Sequence, residues 1–356
     1  MILESINLLN FRSHRKRTFN FSPAVTIILG RNTSGKTNLI EAINYLASGR
    51  GFRAGRESEA INYKEELARI KGIVEDSSGE ARSLEIMITR GHVLEIKTPV
   101  KKYFVNDVAR RGIDFVGNFR TVLFWPQNME LVTGSPSLRR RYLDDVLSQA
   151  DREYHRNLLS YERGLRQRNK LLEAISENRT HRHQLLFWNQ LLIKQGNYLT
   201  EYRENYLEYA NNFRLPKEFE PEIKFRLYYD KSLISESRLT QYSEVELAAH
   251  ATLVGPHRDD FIFKKQETED RDLAFFGSRG EQRLAVLWLK LVEYSFLKEN
   301  SNSTPVLLLD DIFSELDHEH REIIFHIIGK QQTIMTITDK HLVPEMYFRE
   351  AKVIEL

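Results

Sequence analysis

The sequence predicts an α/β fold with a helical lobe inserted into it. Three observations carry that prediction: a strand, a glycine-flanked loop and a helix close to the start; long amphipathic helices in the middle; and an apolar strand ending in two aspartates near the end.

The first part alternates short apolar runs with turn signals. "MILESINLLNF", "VTIILG", "ARIKGIVED" and "LEIMITR" read as strands. In "SGKTNLIEAINYLAS", Leu39, Ile43 and Leu46 follow helical spacing. Asn106-Asp107 in "KKYFVNDVARRG" predicts a hairpin, and "TVLFWPQNMELV" a buried strand ended by Pro126. From Ser135 the spacing becomes three-to-four, with Leu143, Val146, Leu147, Leu158, Tyr161, Leu165 and Leu172. "SENRTHRHQ" interrupts it, and a second helical stretch follows from Leu185 to Tyr209. The simplest reading is two antiparallel helices, each arm about 25 residues and roughly 37 Å long. The heptads are too few for a free coiled coil, so a packed lobe is expected. After residue 220 come the strands "EIKFRLYY" and "DFIFKK", the helix "GEQRLAVLWLKLVEYSFLKE", the strand "PVLLLDD", another helix and the strand "TIMTIT". The expected domains are 1–134, 135–215 and 216–356, the outer two forming one α/β body.

Composition narrows the class. The 356 residues are 41 % hydrophobic and 29 % charged, as in an ordinary soluble globular protein. With no cysteine, disulfides and thiolate metal sites are excluded. No apolar run reaches the roughly 18 residues of a membrane span, and polar residues break the N-terminal apolar runs, so a cytoplasmic protein is expected, without secretory signal or membrane. The triplets at Asn178 and Asn302 then carry no glycan. A net charge of +2 does not announce nucleic-acid binding; any such surface must come from local clusters.

Gly30-Arg31-Asn32-Thr33-Ser34-Gly35-Lys36-Thr37 matches the phosphate-loop pattern in full. Its glycines permit a turn whose backbone N–H groups face phosphate oxygens. Lys36 supplies a cation, Thr37 a hydroxyl for Mg²⁺, and the following helix its positive end. The site binds a nucleoside triphosphate. Such a loop needs an acidic metal partner after a buried strand, and Asp310 and Asp311 supply it. Asp310 is expected to hold Mg²⁺ through water and Asp311 to orient the attacking water. The pair could instead cap the helix that follows. In "FGSRGEQRLAVLWL", Ser278, Gly280 and Gln282 open a helix, a second anion-binding design.

The order phosphate loop, Ser278 turn, Asp310-Asp311 and "SELD" resembles the ATP-binding-cassette superfamily, in its SMC-like branch with a helical insertion. Within that branch the chain is similar to the bacterial recombination mediators through "LLNFRSH", "LGRNTSGKTNLIEAI", "SGRGFR", "LVTGSPSLRRRYLD", "GPHRDD", "GSRGEQR" and "LLLDDIFSELD". The resemblance implies a head-to-tail homodimer with two ATP molecules, in which Ser278 and Gly280 touch the partner's γ-phosphate. It also implies Asp317 at the dimer interface, Arg12 on the nucleotide, Thr338 or His341 sensing the γ-phosphate, and Gln127 reaching Mg²⁺. The implied activity is a weak, DNA-stimulated ATPase that switches a repair protein on single-stranded and duplex DNA, beside other mediator proteins. A transporter ATPase subunit shares the motifs but lacks such an insertion. A non-hydrolysing scaffold is opposed by intact Lys36, Asp310 and Asp311.

Candidate DNA contacts are Arg50, Arg53 and Arg56, Lys101 and Lys102, and Arg110 and Arg111. The stretch from Arg139 to His183 adds eleven Lys/Arg against seven Asp/Glu. Contacts of this kind go to phosphates and read little sequence.

Overall fold

A computed structural model describes residues 1–53, 55–214, 224–266, 271–301, 303–314, 316 and 318–356. They form two compact units, one made of Met1–Asn128 with Leu287–Leu356 and one of Met129–Val286.

The first unit holds two sheets. In the five-stranded parallel sheet the order is Thr121–Phe124, Val306–Asp310, Thr333–Ile337, Val25–Leu29, Lys352–Glu355. The middle three strands are apolar and buried almost throughout, the pattern of parallel strands covered on both faces. The six-stranded antiparallel sheet runs His14–Asn20, Ile2–Phe11, Leu67–Glu75, Ala81–Thr89, Lys101–Val105, Val108–Arg110. Asn106 and Asp107 make the expected hairpin turn, both at positive φ (52° and 60°). The helix Lys36–Ser48 shares one core with both sheets: Leu39, Ile40, Ile43 and Leu46 are fully buried, and so are Tyr45 and Ala47. A helix buried nearly all round needs apolar residues beyond a single stripe.

Among its described residues the second unit has three long helices, Pro136–Ala150, Arg152–Ser176 and Leu185–Asn212, four short ones and a three-stranded antiparallel sheet. The expected first helical arm is thus two helices. Asp151 breaks it and caps the second, accepting the Tyr154 N–H at 2.7 Å. The second expected domain boundary, 215/216, also differs from the division observed. Lys224–Asp230 pairs with Asp260–Gln266, and the Asn211 amide, on the last long helix, clamps Leu227 by donating to its C=O (3.0 Å) and accepting its N–H (2.7 Å). The strands therefore belong with the helices.

Polar groups knit this unit's interior. Arg203, 2 % exposed, donates to Asp144 (2.9 Å), Asp259 (3.2 Å) and Pro256 C=O (2.7 Å). Asp259 also accepts from the Tyr229 hydroxyl and the Ser232 N–H. A charge buried this completely is tolerated because every partner is present. His257 lies in the same hub. Its Nε2 faces the Thr252 carbonyl (2.9 Å), which can only accept, so Nε2 carries the hydrogen and Nδ1 accepts from the Tyr161 hydroxyl (2.8 Å).

Candidate nucleotide-binding site

The phosphate loop leaves the parallel strand Val25–Leu29 and enters the helix at Lys36. Its two glycines have steric reasons. A Cβ on Gly30 would lie 2.6 Å from Ser34 Oγ, and Gly35 sits at φ 104° against the His14 ring and Ser13. Arg31, Asn32 and Thr33 are exposed at the loop tip, and the Ser34 hydroxyl is buried without a hydrogen-bond partner among the described residues. Lys36, 6 % exposed, donates to Gly30 C=O (2.7 Å) and Arg31 C=O (3.2 Å). Burial pushes its pKa down, against the pull of Asp311 and Asp310. Two carbonyl dipoles do not neutralise an ammonium, and phosphate oxygens placed in this loop would.

Asp310, 2 % exposed, ends the strand Val306–Asp310. Its Oδ1 accepts from the Thr37 hydroxyl (3.2 Å) and the Thr336 hydroxyl (2.8 Å). Burial pushes this carboxyl up, and the two hydroxyls oppose the shift. Thr336 also accepts the Asp311 N–H at 2.9 Å, and Asp311 follows in the left-handed region, φ 50°. Thr336 thus sets both acids, a role the sequence reading missed. No sequence signal separates it from Thr333 on the same buried strand. Gln127 is exposed on the short turn after Thr121–Phe124, whose Phe124 pairs with Leu309. It therefore emerges at the same sheet edge as the acids.

The residues suit a nucleotide with Mg²⁺: a glycine cradle that a Cβ would fill, a buried cation, and a hydroxyl already 3.2 Å from a buried carboxylate. No cluster of three or more His, Asp or Glu able to hold a metal occurs among the described residues. A magnesium ion here would lean on phosphate and water oxygens, as that ion commonly does.

The flanking residues hold the loop in place. The Arg12 guanidinium grips both oxygens of fully buried Glu41 (2.9 and 3.0 Å) and the Glu59 C=O (2.8 Å). Arg12, expected on the nucleotide, is engaged with the protein. His14 Nε2 lies 3.2 Å from Gly35 C=O, and burial lowers its pKa. Neither Glu41 nor His14 was singled out in the sequence. Thr338 and His341 line a cavity of about 500 Å³ with Gly30, Arg31 and Glu355. Asp317 lies outside the described residues.

The signature turn lies in the second unit. Ser278 Oγ accepts the Glu281 N–H (3.2 Å) while Glu281 accepts the Ser278 N–H (2.7 Å), a reciprocal capping box. That explains the acid at 281, which Lys265 also holds at 2.7 Å. The Gln282 amide serves its own turn, donating to Leu273 C=O (3.1 Å) and Gly277 C=O (3.4 Å). Gly280 is exposed, and a Cβ there would lie 3.9 Å from Ser278 Oγ, so nothing among the described residues requires glycine for steric reasons.

The candidate DNA residues are scattered in role. Lys101 is bound to Glu57 (2.8 Å) and Gly49 C=O (3.0 Å), and Arg111 to Asp114 (2.9 Å). Arg53 donates to Asn38 (3.2 Å) and helps hold Asp310 ionised, so it sits by the nucleotide site. Arg50 is half-buried, while Arg56, Lys102 and Arg110 are exposed.

The model of the RecF/RecN/SMC N-terminal domain matches residues 2–351. The chain belongs to the RecF family. It is 35 % identical to the DNA replication and repair protein RecF of Moorella thermoacetica, covering 99 % of this chain and 94 % of that one. It is 32 % identical to RecF of Ligilactobacillus salivarius, covering 100 % and 96 %. A solved structure of the recombination mediator RecF with ATP superposes with a TM-score of 0.85 at 32 % identity, covering 96 % of this chain and 93 % of that one. The fold is therefore the ATP-binding-cassette head of the SMC-like branch, as RecF has it. No described helix is long and apolar enough to cross a membrane.

Proposed function

We propose that the chain is an ATP-dependent DNA-binding protein of recombinational repair and replication restart. The observation that carries this reading is the buried Lys36–Thr37–Asp310 constellation, in a chain whose relatives are DNA replication and repair proteins. Gly30 to Gly35 wrap the phosphates and Lys36 holds their charge. Thr37 and Asp310 hold Mg²⁺, which when bound neutralises charge developing on the phosphates; Gln127 approaches from the neighbouring strand. Asp311 orients a water, and its short side chain suits slow turnover.

Two copies associate head to tail, and Ser278 and Gly280 of each close the site of the other. Gly280 supports this, because glycine early in a helix costs about 1 kcal/mol relative to alanine and its own chain gives no steric reason for it. A γ-phosphate arriving from outside does. ATP thus couples dimerisation to sequence-independent binding of single-stranded, duplex or gapped DNA, and slow hydrolysis resets the switch. The protein works in the cytoplasm, with other recombination-mediator proteins.

Sedimentation with and without ATP tests the core of this reading. Wild type should dimerise with ATP, Lys36→Ala and Ser278→Arg should stay monomeric, and Asp311→Asn should dimerise yet not turn over. Dimerisation of Ser278→Arg would sink the head-to-tail arrangement, and DNA binding indifferent to ATP would remove the switch.

A further inference from the structure

The helix Arg152–Ser176 has two faces of opposite character. Its inner face, with Tyr154, Leu158, Tyr161, Arg168 and Leu172, is buried. Gly164 on that face brings the helix Leu185–Asn212 so close that a Cβ would lie 2.6 Å from a Leu191 methyl. Arg168, the cation on the inner face, is locked to Glu246 (2.7 Å), the Thr252 hydroxyl (2.8 Å) and Asn189 (2.8 Å).

On the outer face exposed residues recur at steps of four and three: Arg152, Arg156, Leu159, Arg163, Arg166, Lys170 and Glu173. Those steps keep side chains on one line along a helix. From Arg152 to Lys170 the line is about 27 Å long at the helical rise. It carries five cations on a helix anchored from behind. Arg156 meets Glu153, and Arg166 lies 3.9 Å from Glu162, both exposed pairs that water and salt screen. Arg163 and Lys170 make no ion pair among the described residues. Glu153 and Glu162 stand one such step from Arg156 and Arg166, but from Arg163 to Lys170 the helix carries no acid, where a self-stabilised solvated face alternates signs.

We propose that this line is a docking track for the phosphate backbone of duplex DNA. The inference rests on the DNA-binding reading above and names the surface that reading leaves open. A straight, rigidly mounted row of cations matches a stiff duplex, whose persistence length is about 50 nm. The duplex presents roughly one phosphate charge per 1.7 Å of axis. Contacts of this kind fix position without reading bases.

The test is a salt titration of full-length protein with ATP on a duplex of random sequence and on a single strand of equal length. The variant is Arg156→Gln/Arg163→Gln/Arg166→Gln/Lys170→Gln, whose glutamines keep the stems and helix propensity. The control is Lys64→Gln/Lys97→Gln/Lys298→Gln/Lys352→Gln, with the same loss of charge at exposed sites elsewhere. The track variant should bind duplex about tenfold or more weakly, with a salt slope shallower by up to about 3.6, each of four lost phosphate contacts being worth about 0.9. Its melting temperature should match wild type. Equal losses in variant and control, or a loss confined to the single strand, would overturn the track. Absence of salt-dependent binding in wild type would instead sink the DNA-binding reading itself.

Discussion

Glu41 lies fully buried on the helix behind the phosphate loop, and the Arg12 guanidinium meets both of its oxygens. Removing Arg12 would take away the ion-pair partner of a buried carboxylate and leave it the Arg53 N–H (3.3 Å), a fault that costs about 3 kcal/mol. Arg12→Ala should therefore lower urea stability by about that amount, and Glu41→Gln in the same chain should restore most of it. An Arg12→Ala protein that unfolds like wild type but loses ATP affinity would make Arg12 a nucleotide ligand instead. Thr336 gives a second test at this scale. Thr336→Val keeps the shape but withdraws the hydroxyl that donates to Asp310 and accepts from Asp311. We expect a loss of about 1–3 kcal/mol in stability, and Mg²⁺-dependent turnover falling more than ATP affinity. Unchanged turnover would show that the two acids keep their geometry without it.

Among the elements, the short helical turn Pro256–Arg258 carries the clearest pH signature. Burial holds the His257 pKa at about 4, below its ordinary 6.5. The unfolded chain therefore takes up the proton first. The contribution of a neutral His257 is complete above pH 6.5 and is lost as pH falls towards 4. Melting temperatures of wild type and His257→Gln should converge or cross as pH drops from 7 to 4.5, and a constant difference would reject the assignment. The elements also show what a sequence makes legible. The phosphate loop, four of the five parallel strands and the Asn106-Asp107 hairpin were readable because their causes are local, namely glycine turns, unbroken apolar runs and residues suited to positive φ; the polar-flanked strand Lys352–Glu355 was not. The break at Asp151 was hidden, since apolar spacing continues from Leu147 to Tyr154 and Leu158 across a single capping residue. The helices Glu236–Gln241 and Ser243–Ala249 are too short to show a period. Glu41, His14 and Thr336 could not be assigned because what they serve, Arg12, Gly35 and Asp310, is brought to them by folding. The second unit boundary falls inside the helix Arg279–Glu299, where composition does not change.

For the whole molecule, ligand and stability are linked. ATP with Mg²⁺ at a hundred times its dissociation constant should stabilise the unit that binds it by about 2.7 kcal/mol, seen as a raised melting temperature. Lys36→Ala should remove the rise, and a Lys36→Ala protein that still gains it would place the nucleotide elsewhere. The order of the parallel sheet has a consequence for synthesis. The phosphate-loop strand Val25–Leu29 is flanked by Thr333–Ile337 and Lys352–Glu355, which lie some three hundred residues later in the chain. On the ribosome the loop emerges some three hundred residues before either flanking strand. Contacts closed across such a span form late, and a nascent chain halted before residue 333 has neither Asp310's partner Thr336 nor the strands that hold the loop. A fragment that stops before residue 333 should therefore bind ATP far more weakly than the 356-residue chain, which equilibrium binding on the two would check.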